Sequence, residues 1–279
     1  LYLSIGSKCK LKKGSDRLNI VSFGGGTNST AMIIGMYRRK IPIDLIVFSD
    51  TGVEMPHTYQ HITEMNKWLI DHKLPNITIV EYANKDGSRT TLEDDCINNK
   101  SLPSIAYGFK TCSLKHKKSV QEKYCNSLEQ CNKIWKSGQK VNKFIGFDAG
   151  EENRKTNAFA SNLQDKKYLT HYPLIDWEWY RDDCVKAIES EGLTLPGKSS
   201  CFFCPSMKKP EIRELKQNYP DLFNRAVAIE DNAKENLITV QGLGRNYSWK
   251  NFMEYEDAQV GMCLMYDPES DIPCGCYDG

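Results

Sequence analysis

The chain has 279 residues, with 37 lysines and arginines against 36 aspartates and glutamates. That balance excludes a protein held to a polyanion by its overall charge, so any nucleic-acid site must be local. No uninterrupted apolar run approaches the ~18 residues of a membrane span, and the first residues lack the long apolar core of a signal peptide. No membrane partner is expected and the expected setting is the cytoplasm, although the chain opens on Leu1 rather than methionine, which leaves its true start open. Eleven cysteines, an odd number, point in that setting to thiols, a metal or redox chemistry rather than a disulfide framework.

Residues 1–17 read as an N-terminal extension. Leu18, Ile20, Val21 and Phe23 then predict a strand, Gly24-Gly25-Gly26 a turn, and Thr30 to Ile34 a helix. Strand, glycine turn and helix start make an anion cradle: glycines let bare N–H groups approach a ligand, and the helix N-terminus adds unpaired donors and partial positive charge. The loop is neither a Walker loop, since no Gly-Lys-Ser/Thr follows, nor a G-x-G-x-x-G fingerprint.

A second apolar run, Ile43 to Phe48, ends in Ser49-Asp50-Thr51-Gly52-Val53-Glu54-Met55-Pro56-His57-Thr58. A helix is predicted over Thr58–Lys73, broken by Pro75, then a strand at Ile77–Val80. Residues 81–104 read as a long polar loop over the ligand edge, with a turn at Asn84–Ser88. Lys143–Phe147 reads as a short strand, and Tyr172–Ile175 leads to an amphipathic helix from Trp179 to Glu191 ended by Gly192. The last third reads as helical and loop-rich. Apolar strands alternating with helices give an α/β fold class: an open, mostly parallel twisted sheet with helices on both faces, and a smaller helical, cysteine-bearing C-terminal region. The expected division is 18–198 for the nucleotide-binding domain and 199–279 for a region packed on its active-site edge.

Cys201-Phe202-Phe203-Cys204 places two thiols on one turn, which leaves zinc, an iron–sulfur cluster and a redox dithiol open. The tail, Pro273-Cys274-Gly275-Cys276, offers two more. Cys125 and Cys131, like Cys9, Cys96 and Cys263, have no partner at ligand spacing, and Cys184 reads as a small buried hydrophobe. Trp177, Trp179 and Tyr180 read as core or interface rather than chemistry.

Gly24-Gly25-Gly26-Thr27-Asn28-Ser29 resembles the S-G-G-x-D-S pyrophosphate loop (PP-loop) of the adenine nucleotide alpha hydrolase-like superfamily, and Asp50-Thr51-Gly52-x-Glu54-x-Pro56-x-Thr58 resembles the second-strand motif of its phosphoadenosine phosphosulfate (PAPS) reductase family. Two positions of the loop depart from the pattern: Gly24 replaces serine, and Asn28 replaces an aspartate associated with the metal–nucleotide. The segment Gly146 to Arg154 resembles G-I-R-x-x-E-x-x-R but carries Asp148 in place of its first arginine. The resemblance implies that Ser22, Gly24, Gly25, Gly26, Thr27, Asn28, Ser29, Asp50, Thr51, Gly52, Glu54, Gly146 and Glu151 bind an adenine nucleotide (PAPS, its unphosphorylated relative APS, or ATP with magnesium), and that Lys115 and Arg154 hold the terminal anion. Cys112 matches the place of a cysteine pair in cluster-bearing members, with Thr111 at the other position. This implies a [4Fe–4S] cluster on Cys112, Cys201, Cys204 and Cys276, against a structural zinc on Cys201, Cys204, Cys274 and Cys276. Cys274-Gly275 resembles the reductases' C-terminal Glu-Cys-Gly, which makes Cys274 the candidate nucleophile.

The function expected first is therefore an enzyme reducing a sulfonucleotide to sulfite and adenosine bisphosphate or AMP with a thiol reductant. The alternative is an ATP pyrophosphatase that adenylates a nucleic acid and inserts sulfur from a donor protein, as in phosphorothioation or thiolation. A third is a non-enzymatic nucleotide-binding module with structural zinc.

Overall fold

The computed structural model describes residues 17–151, 153, 154, 156 and 162–258. Five strands, β1 (Asn19–Phe23), β2 (Leu45–Asp50), β3 (Ile77–Glu81), β4 (Val141–Ile145) and β5 (Tyr168–His171), form one sheet in the order β3-β2-β1-β4-β5. All four pairings are parallel. β1 is buried throughout and β2 along all but its last residue, because helices cover both faces; this is why their sequence is continuous rather than alternating apolar. The edge strands alternate, with Ile79 and Leu169 exposed. β5 has no counterpart among the expected strands: four residues with a single aliphatic one give no readable period.

One face carries α1 (Thr27–Arg38) and α2 (Pro56–Asp71) over a core of Val21, Phe48, Met32, Ile33, Met65 and Leu69. The other carries a helical run composed of α4 (Thr111–Ser113), a π turn (Leu114–Lys118) and α5 (Ser119–Ser127), followed by α6 (Glu129–Lys136). Between β3 and that run, where a long loop was expected, stands α3 (Leu92–Asn98). Thr91 and Asp94 form its capping box, the Thr91 hydroxyl accepting from Asp94 N at 3.1 Å and Asp94 Oδ2 accepting from Thr91 N at 2.9 Å. The expected turn is present, with Gly87 N donating to Asn84 O at 3.1 Å. After β5 come α7 (Pro173–Asp176) and α8 (Arg181–Glu189), which packs on α1 through the Arg38–Glu191 ion pair and a shared core of Cys184 and Ile188. Burial pushes the Cys184 thiol up to about 12, as befits a packing residue. Trp177 and Trp179 take the Arg39 guanidinium over their rings at 4.1 and 5.0 Å.

The C-terminal helices α9 (Lys209–Asn218), α10 (Pro220–Ala233) and α11 (Trp249–Ala258) share one apolar cluster with Val53 and Met55 from the β2 turn, Leu92 from α3, and Phe202 and Phe203. They thus stand on the carboxyl edge of the sheet, where parallel sheets place ligands. No helix among the described residues is long and apolar enough to cross a membrane.

Candidate functional site

The chain leaves β1 through Gly24 and turns at Gly25, whose φ is +77°. A Cβ there would lie 2.9 Å from Thr58 Cγ2, so both the backbone and the packing require glycine. Gly26 is the N-cap of α1 and no side chain caps the helix. Its carbonyl accepts from Thr30 N (3.1 Å), Thr30 Oγ1 (2.9 Å) and Ser29 Oγ (3.1 Å), which turns it back into the helix and leaves the first N–H groups facing outward. Thr30 Oγ1 is in turn bonded to His61 Nε2 at 2.8 Å, and burial lowers the His61 pKa. Ser22 does not reach this cradle: it is fully buried and donates to Gln121 Oε1 at 2.7 Å.

Thr27, Asn28 and Ser29 open onto a cleft of about 390 Å³ whose other walls include Asp148, Glu151, Arg181, Lys198 and Ser199. The segment Gly197–Ser200 crosses the loop, tied by the Ser199 hydroxyl donating to Gly24 O and by His57 Nε2, 3.0 Å from Lys198 O. Asn28 Nδ2 donates to Asp148 Oδ2 and to Glu151 Oε2, both at 3.0 Å, and Asn28 Oδ1 accepts from Arg181 at 3.1 Å. Asn28 and Asp148, each a departure from its sequence pattern, are thus bonded to each other. An aspartate at 28 would face two carboxylates; the amide instead donates to both. Arg154 pairs with Glu151 Oε1 at 2.6 Å and stacks on Phe147 at 4.1 Å. Gly146 lies under the loop, where a Cβ would sit 2.9 Å from Ser29 Cα; it allows β4 to approach the helix start.

At the end of β2, Asp50 Oδ1 accepts from Gly52 N at 2.7 Å and from the Tyr59 hydroxyl at 2.8 Å, and burial together with that carboxylate drives the Tyr59 phenol up. The turn then pairs with the Cys-x-x-Cys segment: Met55 N donates to Ser200 O at 3.0 Å and Phe202 N to Val53 O at 2.9 Å. Thr51 Oγ1 donates to Glu54 Oε1 at 3.0 Å and lies 3.5 Å from Cys201 Sγ. Glu54, expected at the nucleotide, is buried and pairs with Lys117 Nζ at 3.2 Å.

Cys112, Cys201 and Cys204 line one small cavity of about 30 Å³ together with Thr51, Lys117 and Ser200. The Ser200 hydroxyl, on a wall of this cavity, is buried without a hydrogen-bond partner, as is Glu54 Oε2. The segment Lys198–Cys204 therefore runs from the phosphate cleft into the thiol cavity. Among the described residues, no three His, Cys, Asp or Glu side chains converge as a single metal ion requires. Cys274 and Cys276 lie outside the described residues.

The π turn distributes the lysines that follow Cys112. Lys115 Nζ and His116 Nε2 reach Asp95 Oδ2 at 2.5 and 2.6 Å, on the far side of α4, while Lys117 reaches Glu54. Lys115 therefore does not line the phosphate cleft, whose basic walls among the described residues are Arg181 and Lys198. Asp95, Arg181 and Lys198 had no motif to announce them, whereas Ser199 and Ser200 adjoin the Cys-x-x-Cys and could have been read with it. Cys125 and Cys131, which spacing left unpartnered, lie thiol to thiol in the opposite core.

No family model matches the chain, and comparison with curated proteins finds no similar one. Among solved structures, the U34-tRNA thiolase NcsA from Methanococcus maripaludis with its [4Fe–4S] cluster aligns with 14% identity over 82% of this chain and 77% of its own, at a TM-score of 0.41. A likeness of that degree assigns no activity to this chain.

Proposed function

We propose that the chain is an ATP-dependent sulfurtransferase that adenylates an acceptor and then replaces the activated oxygen with sulfur. The observation that carries this reading is the pair Asp148 and Glu151 bonded to Asn28 at the N-terminus of α1. The carboxylate that position 28 lacks is restored from position 148, so the cleft has hard oxygen donors beside the phosphate cradle, the chemistry that suits a magnesium-bound triphosphate. Asp148 and Glu151 would hold that magnesium, which would offset the charge of the leaving pyrophosphate. A sulfonucleotide carries its sulfate without such a metal and would be served better by the arginine that Asp148 replaces.

The N–H groups of Thr27, Asn28 and Ser29 would bind the phosphates and stabilise the pyrophosphate as it departs. An acceptor oxygen attacks the α-phosphorus, the bond to pyrophosphate breaks, and an acceptor–adenylate forms. A sulfur nucleophile then forms the carbon–sulfur bond as the carbon–oxygen bond breaks and AMP leaves. Lys117, buried beside the thiols, would hold an anionic sulfur in place. Cys112, Cys201 and Cys204 are soft donors on one cavity, the donor chemistry of an iron–sulfur cluster rather than a preformed single-metal site; they would hold such a cluster, which would supply a binding position for sulfur. Phe109, exposed beside Lys110 just before Cys112, would give a base of a nucleic-acid acceptor a stacking surface.

The test is product analysis under anaerobic conditions with magnesium, ATP, sulfide and a mixture of RNA or DNA acceptors. AMP and pyrophosphate formed in step with sulfur in the acceptor support the reading. Sulfite released from PAPS with a thiol reductant, and no ATP cleavage, would return the function to sulfonucleotide reduction.

A further inference from the structure

Behind Cys112 lies a second, wider space. A pocket of about 250 Å³ opens between α3 and the π turn, and Cys112, Leu92 and Pro103 are walls of both this pocket and the thiol cavity. Cys112 thus has one side toward Cys201 and Cys204 and another toward a pocket large enough for a single amino acid. His116, 1% exposed, is one of its walls, and its Nδ1 is buried without a hydrogen-bond partner. A buried polar atom without a partner is unfavourable, and a guest that offers it a donor or acceptor relieves that cost.

The remaining chemistry selects the guest. Asp95 and Lys115 bring one carboxylate and one ammonium together at 2.5 Å, with Asn99, Ser101 and Ser104 as hydrogen-bonding neighbours. An anion and a cation side by side complement a zwitterion, whose ammonium and carboxylate can exchange partners with them. Leu92, Leu102 and Pro103 leave an apolar side for a short alkyl arm. Burial pushes the Cys96 thiol, also a wall, up to about 12, so it stays protonated and can serve only as a weak donor.

We propose that this pocket binds a free aminothiol of the size of cysteine, with its charged groups on Asp95 and Lys115 and its sulfur toward Cys112. The choice of a sulfur-bearing guest rests on the sulfurtransferase reading; the pocket itself does not. It would be the place where a thiol reductant approaches the thiol cavity from the side away from the nucleotide.

Calorimetry of L-cysteine binding to the full chain, anaerobic and without nucleotide, tests it. The expected result is saturable binding of one cysteine, weakened at least tenfold by Asp95→Asn, lost in Ser101→Trp, which fills the pocket, and weaker for L-serine than for L-cysteine. ATP binding, measured separately, should be unchanged in Ser101→Trp. No saturable cysteine binding by the native chain, unchanged affinity in Ser101→Trp, or serine binding as tightly as cysteine would overturn it. Cysteine binding retained in a chain that fails to cleave ATP would sink the sulfurtransferase reading alone, while ATP cleavage without cysteine binding would sink this inference alone.

Discussion

Gly25 is the residue on which the phosphate cradle turns, because its positive φ and its contact with Thr58 each exclude a side chain. Gly25→Ala is expected to cost about 1–2 kcal/mol of stability from the left-handed backbone alone and to weaken ATP binding at least tenfold, measured by chemical denaturation and by calorimetry. Glu54 is a second such residue: replacing it with alanine breaks a buried pair with Lys117 and is expected to destabilise by about 3–5 kcal/mol. Burial holds the His61 and His116 imidazoles below the usual imidazole range. Each is neutral in the fold and gains a proton more readily when unfolded, so the unfolded state binds more protons below about pH 6.5 and stability falls as pH drops through that range. Denaturation midpoints that decline from pH 7 to pH 5, less steeply in His61→Gln, are the expected outcome. At this scale the sequence was legible where a residue type has one use, as with Gly25 in its triplet. It was opaque where a residue's partner is distant in the chain: Asn28 and Asp148 stand 120 positions apart, and nothing local joins them.

The element that matters most is the helical run from Thr111 to Ser127, with its π turn over Leu114–Lys118. One extra residue in a helical turn changes the direction of every side chain after it. Here it sends Lys115 and His116 toward Asp95 and Lys117 toward Glu54. A regular helical period cannot anticipate that split, so the neighbours of Lys115 and Lys117 could not be told apart from their sequence positions. The position of α3 was readable in principle, since Thr91-x-x-Asp94 is a capping-box pattern, but its polar first turn masked it. The helix-borne Cys112 and the loop-borne Cys201 and Cys204 line one cavity and are expected to act together on one iron–sulfur cluster. Iron and acid-labile sulfide in anaerobically purified protein should fall together in Cys112→Ser and Cys204→Ser and stay unchanged in Cys131→Ser, which lies in the opposite core. Iron retained in Cys112→Ser would remove that cysteine from the set.

For the molecule as a whole, the parallel sheet was legible because strands buried on both faces are apolar without a break, and two motifs fall at strand ends, the edge where such sheets place ligands. The C-terminal helices were not, since their role comes from a core they share with the β2 turn rather than from any period of their own. Within that core Glu230 is buried, and its carboxylate accepts from the backbone N–H groups of Leu243 (2.6 Å), Trp249 (3.0 Å) and Lys250 (3.3 Å). These bonds fix the approach to α11, and Glu230→Ala is expected to destabilise the C-terminal region by several kcal/mol, read as early loss of hydrogen-exchange protection in Trp249–Ala258. Asp148 and Glu151 are proposed to make the cleft a site for metal-bound ATP. Equilibrium dialysis of labelled ATP and labelled PAPS, each with and without magnesium, tests this most directly on the native chain and on the Asp148→Asn, Glu151→Gln double variant. ATP binding that needs magnesium, exceeds PAPS binding at least tenfold and loses its magnesium dependence in the variant is the expected result; tighter, magnesium-independent binding of PAPS that the variant leaves unchanged would overturn that assignment.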